Sequence, residues 1–187
     1  ELNSDFIATF DLFLKTEAGL CRNTIVRYMK CFKRITNMAL AKEWMRKDPF
    51  YGYKMAQDET DPVFLTYPEL KSIMEKEFTI PRLALVRDIF VFAAFTGLAF
   101  ANVSTLTKDN LVQDNNGDWW IRKGRVKLER RHRASSVCNI PLLPVPLAIL
   151  KKYEEHPICR KKSLCLPVIC NQRMNSYLKE IADLCNI

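Results

Sequence analysis

From Phe6 to Leu14 the apolar residues Phe6, Ile7, Phe10, Phe13 and Leu14 recur at helical spacing, with Asn3 or Ser4 placed to cap the helix and Gly19 to end it. A second helix follows at once, opened by Asn23 or Thr24. At ~100° per residue its Ile25, Tyr28, Met29, Phe32, Ile35 and Ala39 fall within about 120° of one another, which predicts a core face. On the other side Asn23, Arg27, Lys30 and Arg34 share about 60°, with Lys33 at the margin. No acid occurs between Arg22 and Lys42. A solvated helix usually mixes signs to gain i,i+4 pairs, whereas one that lies on phosphates does not need them. A plain solvated charged face is the alternative.

The period fades near Asp48-Pro49, and residues 49–64 mix Pro, Gly and acids, which reads as a linker. Thr66-x-x-Glu69 forms a capping box before Leu70, Ile73 and Met74, and a helix from about Pro81 stops at Gly97. Phe90, Phe92, Ala93, Ala94 and Phe95 make that helix apolar almost all round, as expected of a central buried element. Thr107 can cap a short turn. After the turn signal Asn115-Asn116-Gly117, residues 118–122 and 137–142 read as strands, and Leu111 to Gln113 as a possible third. Two helices, about Pro146 to Glu155 and Asn171 to Cys185, complete the chain around a loop with Arg160-Lys161-Lys162. The expected fold class is mainly α with a small antiparallel β-sheet, divided into 1–48, a linker at 49–64, and 65–187.

Composition agrees with a globular chain: 48% of 187 residues are hydrophobic, with five Gly and nine Pro. The longest apolar run, Ile89 to Phe95, is far short of the roughly 20 residues of a membrane span. Glu1 to Asp5 show no basic region ahead of an apolar one, so no secretory signal or membrane partner is expected and a cytoplasmic location is. Seven Cys without a C-x-x-C pair suggest reduced thiols rather than a disulfide frame or a zinc site.

Charge changes the picture more. A net charge of +8 and a pI near 9.2 favour a polyanionic partner. Between Arg122 and Arg133 seven basic residues face one acid, Glu129, along a predicted β-ribbon and its turn. Catalytic groups are scarce by contrast. His132 and His156 make no metal-binding pair, Ser135-Ser136 lacks a nucleophile-elbow context, and no Gly-rich phosphate loop occurs. No cofactor or metal is called for. Trp119-Trp120 could stack on bases, but strand alternation more simply buries one and leaves the other near the surface.

The order of these pieces is informative. A helix with Thr24, Arg27 and Lys30, then Phe95-Thr96-Gly97-Leu98, Leu106-Thr107-Lys108-Asp109-Asn110-Leu111, the segment WWIRKGRVK and finally NIPLLP together resemble the tyrosine recombinase (phage integrase) family. More narrowly the chain looks like integrases of bacterial conjugative transposons and related mobile elements. The resemblance runs over essentially the whole chain. It implies a helical core-binding (SAM-like) domain, here partial, plus the N-terminal part of an α+β catalytic domain. The family's His-x-x-Arg motif and nucleophilic Tyr would lie beyond Ile187, and Tyr177 is not expected to be that nucleophile.

In the family a Tyr oxygen displaces a 5′-hydroxyl from the scissile phosphate, conserving the bond in a phosphotyrosyl link. Cationic donors hold the phosphoryl charge and an acid protonates the leaving hydroxyl. The resemblance implies that acid at Lys127, for which a plain phosphate contact is the alternative. The family's first catalytic Arg follows T-G-L directly, and Ala99 stands there. Double-stranded DNA is the expected partner, bound by Arg22, Thr24, Arg27, Lys30 and Arg34 on the helical domain and by Arg125, Arg130, Arg131 and Arg133 on the ribbon. The full-length protein is expected to act as a tetramer on DNA, and this chain to be a monomer that binds DNA without cutting it. Two other readings are a non-catalytic DNA-binding protein of the same fold and a basic helical module that binds another protein.

Overall fold

The computed structural model describes residues 2–124 and 137–187, and the chain divides into two compact units, Glu1–Val63 and Phe64–Ile187. It is mainly helical, with one small antiparallel sheet.

The first unit is built on α1 (Ser4–Thr16) and α2 (Arg22–Ala41). Asn3 caps α1, its side-chain oxygen accepting the Phe6 N–H at 2.9 Å. Helix α2 begins ahead of Asn23, because Cys21 takes the extended cap conformation and its carbonyl accepts the N–H groups of Thr24 and Ile25. Asn23 and Thr24 are engaged elsewhere. The core consists of Ile7, Leu14, Ile25, Met29 and Phe50, with Phe10, Leu20, Phe32, Tyr53 and Met55 packed against it.

This core corrects two expectations. Tyr28 and Ile35, placed on the core face by periodicity, are 54% and 60% exposed, while Val26 and Thr36 are buried. Phe50 is the cause. It inserts edge-on against Phe32, with ring centroids 5.5 Å apart, and the Lys33 ammonium lies 5.7 Å from its ring. The buried stripe of α2 is thereby turned toward the side of Val26, Met29 and Thr36. The second difference concerns 49–64, read as a linker, whose Phe50 is 1% exposed and whose Tyr53 packs on it at 5.8 Å. Apolar spacing within a helix cannot reveal an aromatic delivered from a Pro- and Gly-containing loop.

In the second unit, α3 (Tyr67–Glu75) carries the Thr66–Glu69 capping box, and α4 (Pro81–Thr96) ends at Gly97 in the left-handed conformation. A short α5 (Phe100–Val103) and a 3-10 turn (Lys108–Asn110) lead into β1 (Leu111–Gln113), β2 (Trp119–Gly124) and β3 (Val137–Pro141). The sheet order is β1-β2-β3, antiparallel throughout, with Leu111 opposite Ile121 and Ile121 opposite Ile140. Helices α6 (Pro144–Tyr153), α7 (Pro157–Lys162) and α8 (Asn171–Leu184) follow. Their core, with Leu83, Val86, Ile89, Phe92, Leu106, Ile121, Leu166 and Ile181 among its members, centres on α4.

Helix α4 is less purely apolar than its composition suggests, since Asp88 is 6% exposed. A buried carboxylate needs partners. Asp88 accepts from Lys152 Nζ at 2.6 Å, Tyr153 Oη at 2.8 Å and Arg87 Nε at 2.9 Å, while Arg87 also donates to the Lys76 carbonyl at 2.6 Å. The cluster thus ties α4 to α6 and to the end of α3. Neither Trp of β2 is fully buried: Trp119 is 39% exposed, and Trp120 is half-buried with its indole N–H donating to Asp114 at 3.0 Å. The fully buried residue of that strand is Ile121. Among the described residues no helix is long and apolar enough to cross a membrane.

Candidate nucleic-acid interface

The outward side of α2 carries a cluster of exposed cations. Arg27, Lys30 and Arg34 are exposed, and Lys33 is half-buried over Phe50. Arg27 and Arg34 lie on the side opposite the buried residues, where one phosphate backbone could run along them. Lys30 Nζ donates to the neutral side-chain oxygen of Gln57 at 3.0 Å, so its charge is retained.

Arg22 and Thr24 have different surroundings. Arg22 pairs with Asp11 at 3.0 Å and donates to the carbonyls of Ala56 at 3.2 Å and Lys54 at 3.3 Å. Asp11 also accepts the Tyr53 hydroxyl. Arg22 therefore cross-links α1, α2 and the segment beyond Tyr53. The Thr24 hydroxyl lies 3.1 Å from Cys21 Sγ, and this hydrogen bond holds the exposed thiol below its ordinary pKa.

In the second unit, Ala99 takes the cap position of α5 directly after Thr96-Gly97-Leu98. Its carbonyl accepts the N–H groups of Asn102 at 2.8 Å and Val103 at 3.1 Å. Its methyl side chain offers a phosphate neither a hydrogen-bond donor nor a charge. Lys127, Arg125, Arg130, Arg131, Arg133 and His132 lie outside the described residues. Sequence reasoning gave no separate role to Lys123 at the ribbon root. It donates to the Thr105 carbonyl and to the Asn110 side-chain oxygen at 3.1 Å, joining β2 to the segment that follows α5. Arg122, on the opposite face of the strand, is exposed. Strand alternation, applied to charge as well as to apolar residues, would have separated the two.

Helix α8 was expected from the sequence, but its polar face was given no role. Asn171, Gln172, Arg173, Asn175, Ser176 and Lys179 are exposed, whereas Met174 and Ile181 are buried. Amide and hydroxyl side chains with two cations are suited to base edges and phosphates. The spacing of Met174, Tyr177, Leu178 and Ile181 was the available signal. Tyr177 is half-buried, with the Arg82 guanidinium 5.2 Å from its ring, and Arg82 pairs with Glu180 at 3.1 Å. His156 caps α7, its Nδ1 accepting the Ile158 N–H at 3.3 Å. Among the described residues no three His, Cys, Asp or Glu side chains are grouped to hold a metal ion.

Residues 1–55 match the family model of the phage integrase SAM-like domain, a span that includes both helices of the first unit together with Phe50 and Tyr53. No curated protein and no solved structure matches the chain. The match supports a relationship of the first unit to the phage integrase or tyrosine recombinase family and is consistent with DNA binding.

Proposed function

We propose that this chain is the DNA-gripping part of a site-specific recombinase or integrase of the tyrosine type, whose complete protein cleaves and rejoins strands through a phosphotyrosyl intermediate. The observation that carries the reading is the acid-free outward face of α2, with Arg27 and Arg34 exposed, inside a span that matches an integrase SAM-like domain. The ribbon cations Arg125, Arg130, Arg131 and Arg133 add phosphate contacts. Lys127 is the general acid toward the leaving hydroxyl, and Arg122 and the exposed face of α8 add to the grip. Neither His132 nor His156 begins a His-x-x-Arg sequence, so binding without strand cleavage is expected of residues 1–187.

Ala99 favours a second reading, a non-catalytic DNA-binding protein of the same fold. An Arg at a pentavalent phosphate contributes on the order of several kcal/mol of transition-state stabilisation, and Ala contributes none. A salt titration against a random-sequence duplex of about 30 base pairs tests what the two readings share: each phosphate neutralised adds roughly 0.9 to the slope of log K against log salt. Binding indifferent to salt would overturn both. Strand breaks accumulating in the same tubes would contradict the expectation of binding without cleavage.

A further inference from the structure

The basic face of α2 has an occupant within its own unit. The chain that follows the core aromatics returns along one margin of that face, and its attachment changes character on the way. Phe50 is buried, and Tyr53 donates its hydroxyl to Asp11. From Lys54 to Asp58, apart from Met55 packed on the core, the attachment is by hydrogen bonds to α2 side chains. Arg22 donates to the carbonyls of Lys54 and Ala56. Asn23 and Asp58 form a reciprocal pair, the Asn23 amide donating to the Asp58 carbonyl at 3.0 Å and the Asp58 N–H to Asn23 Oδ1 at 2.9 Å. Lys30 donates to Gln57. Asp58, Glu59 and Asp61 are all exposed.

We propose that residues 54–61 form an acidic strap that docks on α2 in place of a polyanion and leaves the Asn23–Lys30 margin when duplex DNA binds. The proposal rests on the reading of α2 as a DNA-binding face. Asn23 and Lys30 belong to that face by position, yet in the free protein one side chain is closed by backbone groups of Asp58 and the other is capped by Gln57. Asp58, Glu59 and Asp61 also put three carboxylates on a segment tethered to the helix that must accept phosphates. Exposed hydrogen bonds and like-charge repulsion of this kind are individually weak and screened by salt. A duplex, which releases counterions from several phosphates at once, displaces them together. The strap then discriminates: a short or weakly charged anion leaves it docked, and only an extended polyanion removes it.

The Asp58 amide is the direct probe, because its hydrogen bond to Asn23 exists only while the strap is docked. In the full chain, with a duplex of about 30 base pairs added at low salt, the solvent-exchange rate of that amide, followed by NMR, should rise at least several-fold. The charge-neutral strap E59Q/D61N should bind the duplex about three- to tenfold tighter at low salt, and the gain should shrink as salt is raised. The variant Q57A, which removes the partner of Lys30 without changing charge, should shift affinity in the same direction. An Asp58 amide that exchanges unchanged or more slowly in the bound state, while affinity still depends on R27A/R34A, would overturn the strap and leave the DNA-binding face standing. Affinity indifferent to R27A/R34A would remove that face and the strap proposal with it.

Discussion

Helix α2 carries five basic residues and no acid, and Arg27, Lys30 and Arg34 stand exposed, whereas α4 carries Arg82, Arg87 and Asp88, each paired with another side chain inside its own unit. Both helices belong to a chain of net charge +8, yet they place their charges differently. The difference lies in partnering. In α4 a carboxylate is taken out of water and stabilised by two cations and a hydroxyl, so its charges hold the fold together. In α2 the charges of Arg27, Lys30 and Arg34 remain in water, where an exposed Arg costs little and is available to an anion. Net charge therefore does not by itself separate structural from exposed cations, whereas ion pairing does. Arg22 and Lys123 show this within the candidate interface itself, since both are basic residues of a cluster that the fold has put to internal use.

The largest effects should come from removing what seats each helix. Phe50→Ala empties the centre of the first unit and is expected to cost about 4 kcal/mol. Urea unfolding should show the loss, and a cost under about 1 kcal/mol would mean that α2 is seated without Phe50. Asp88→Ala should cost about 3 kcal/mol in the second unit, the lower end for a broken buried pair because Lys152 is half-exposed and can return to water. The comparison breaks if Asp88→Ala is neutral, for the charges of α4 would then be no more structural than those of α2.

How far this contrast could be read from the sequence depends on whether the relevant contacts are local. The two N-terminal helices, the Thr66–Glu69 capping box, the stop at Gly97 and the strands around Asn115-Asn116-Gly117 all follow from neighbours a few residues apart, and all are present. The exposed positions of Arg27, Lys30 and Arg34 follow from the helical period for the same reason. The buried face of α2 was mis-rotated because Phe50 arrives from outside the helix, and Arg22 looked available because Asp11, Lys54 and Ala56 are distant in sequence. In the sequence Asp88 is only a charge ahead of the apolar run Ile89 to Phe95, until Lys152 and Tyr153, some 64 residues on, are brought to it. Ala99 is the opposite case: its anomaly is visible in the sequence, and the fold only adds that it caps a short helix.

A smaller effect separates the two kinds of cation on the first unit. The double variant R27A/R34A should lower duplex affinity about 10- to 100-fold at moderate salt and flatten the salt slope by roughly 1.8, if each Arg meets one phosphate. R22A should leave that slope unchanged while lowering the unfolding free energy, since its guanidinium is bound to Asp11 and two carbonyls. Equal flattening by both variants would show that α2 does not divide its cations between fold and ligand.

The finest test concerns a single proton. Burial and the adjoining Asp88 carboxylate push the Tyr153 hydroxyl well above the ordinary tyrosine range. The folded state thus keeps this proton at a pH where the unfolded chain, with a tyrosine pKa near 10, has released it. Linkage fixes the sign: the stabilisation is fully present below about pH 10 and is lost above it, by at most ~1.4 kcal/mol per pH unit. Cys165, raised by burial to about 11, acts with the same sign from a lower starting pH, so the wild-type curve alone cannot isolate Tyr153. The difference from Tyr153→Phe can. At neutral pH the variant should be less stable by about 1 kcal/mol, because Asp88 loses one neutral donor but retains Lys152 and Arg87. Above pH 10 the two curves should converge as the unfolded wild-type chain gains its phenolate. A gap that stays constant to pH 11 would mean that this hydroxyl is not held by the carboxylate, and the buried charge of α4 would then rest on its two cations alone.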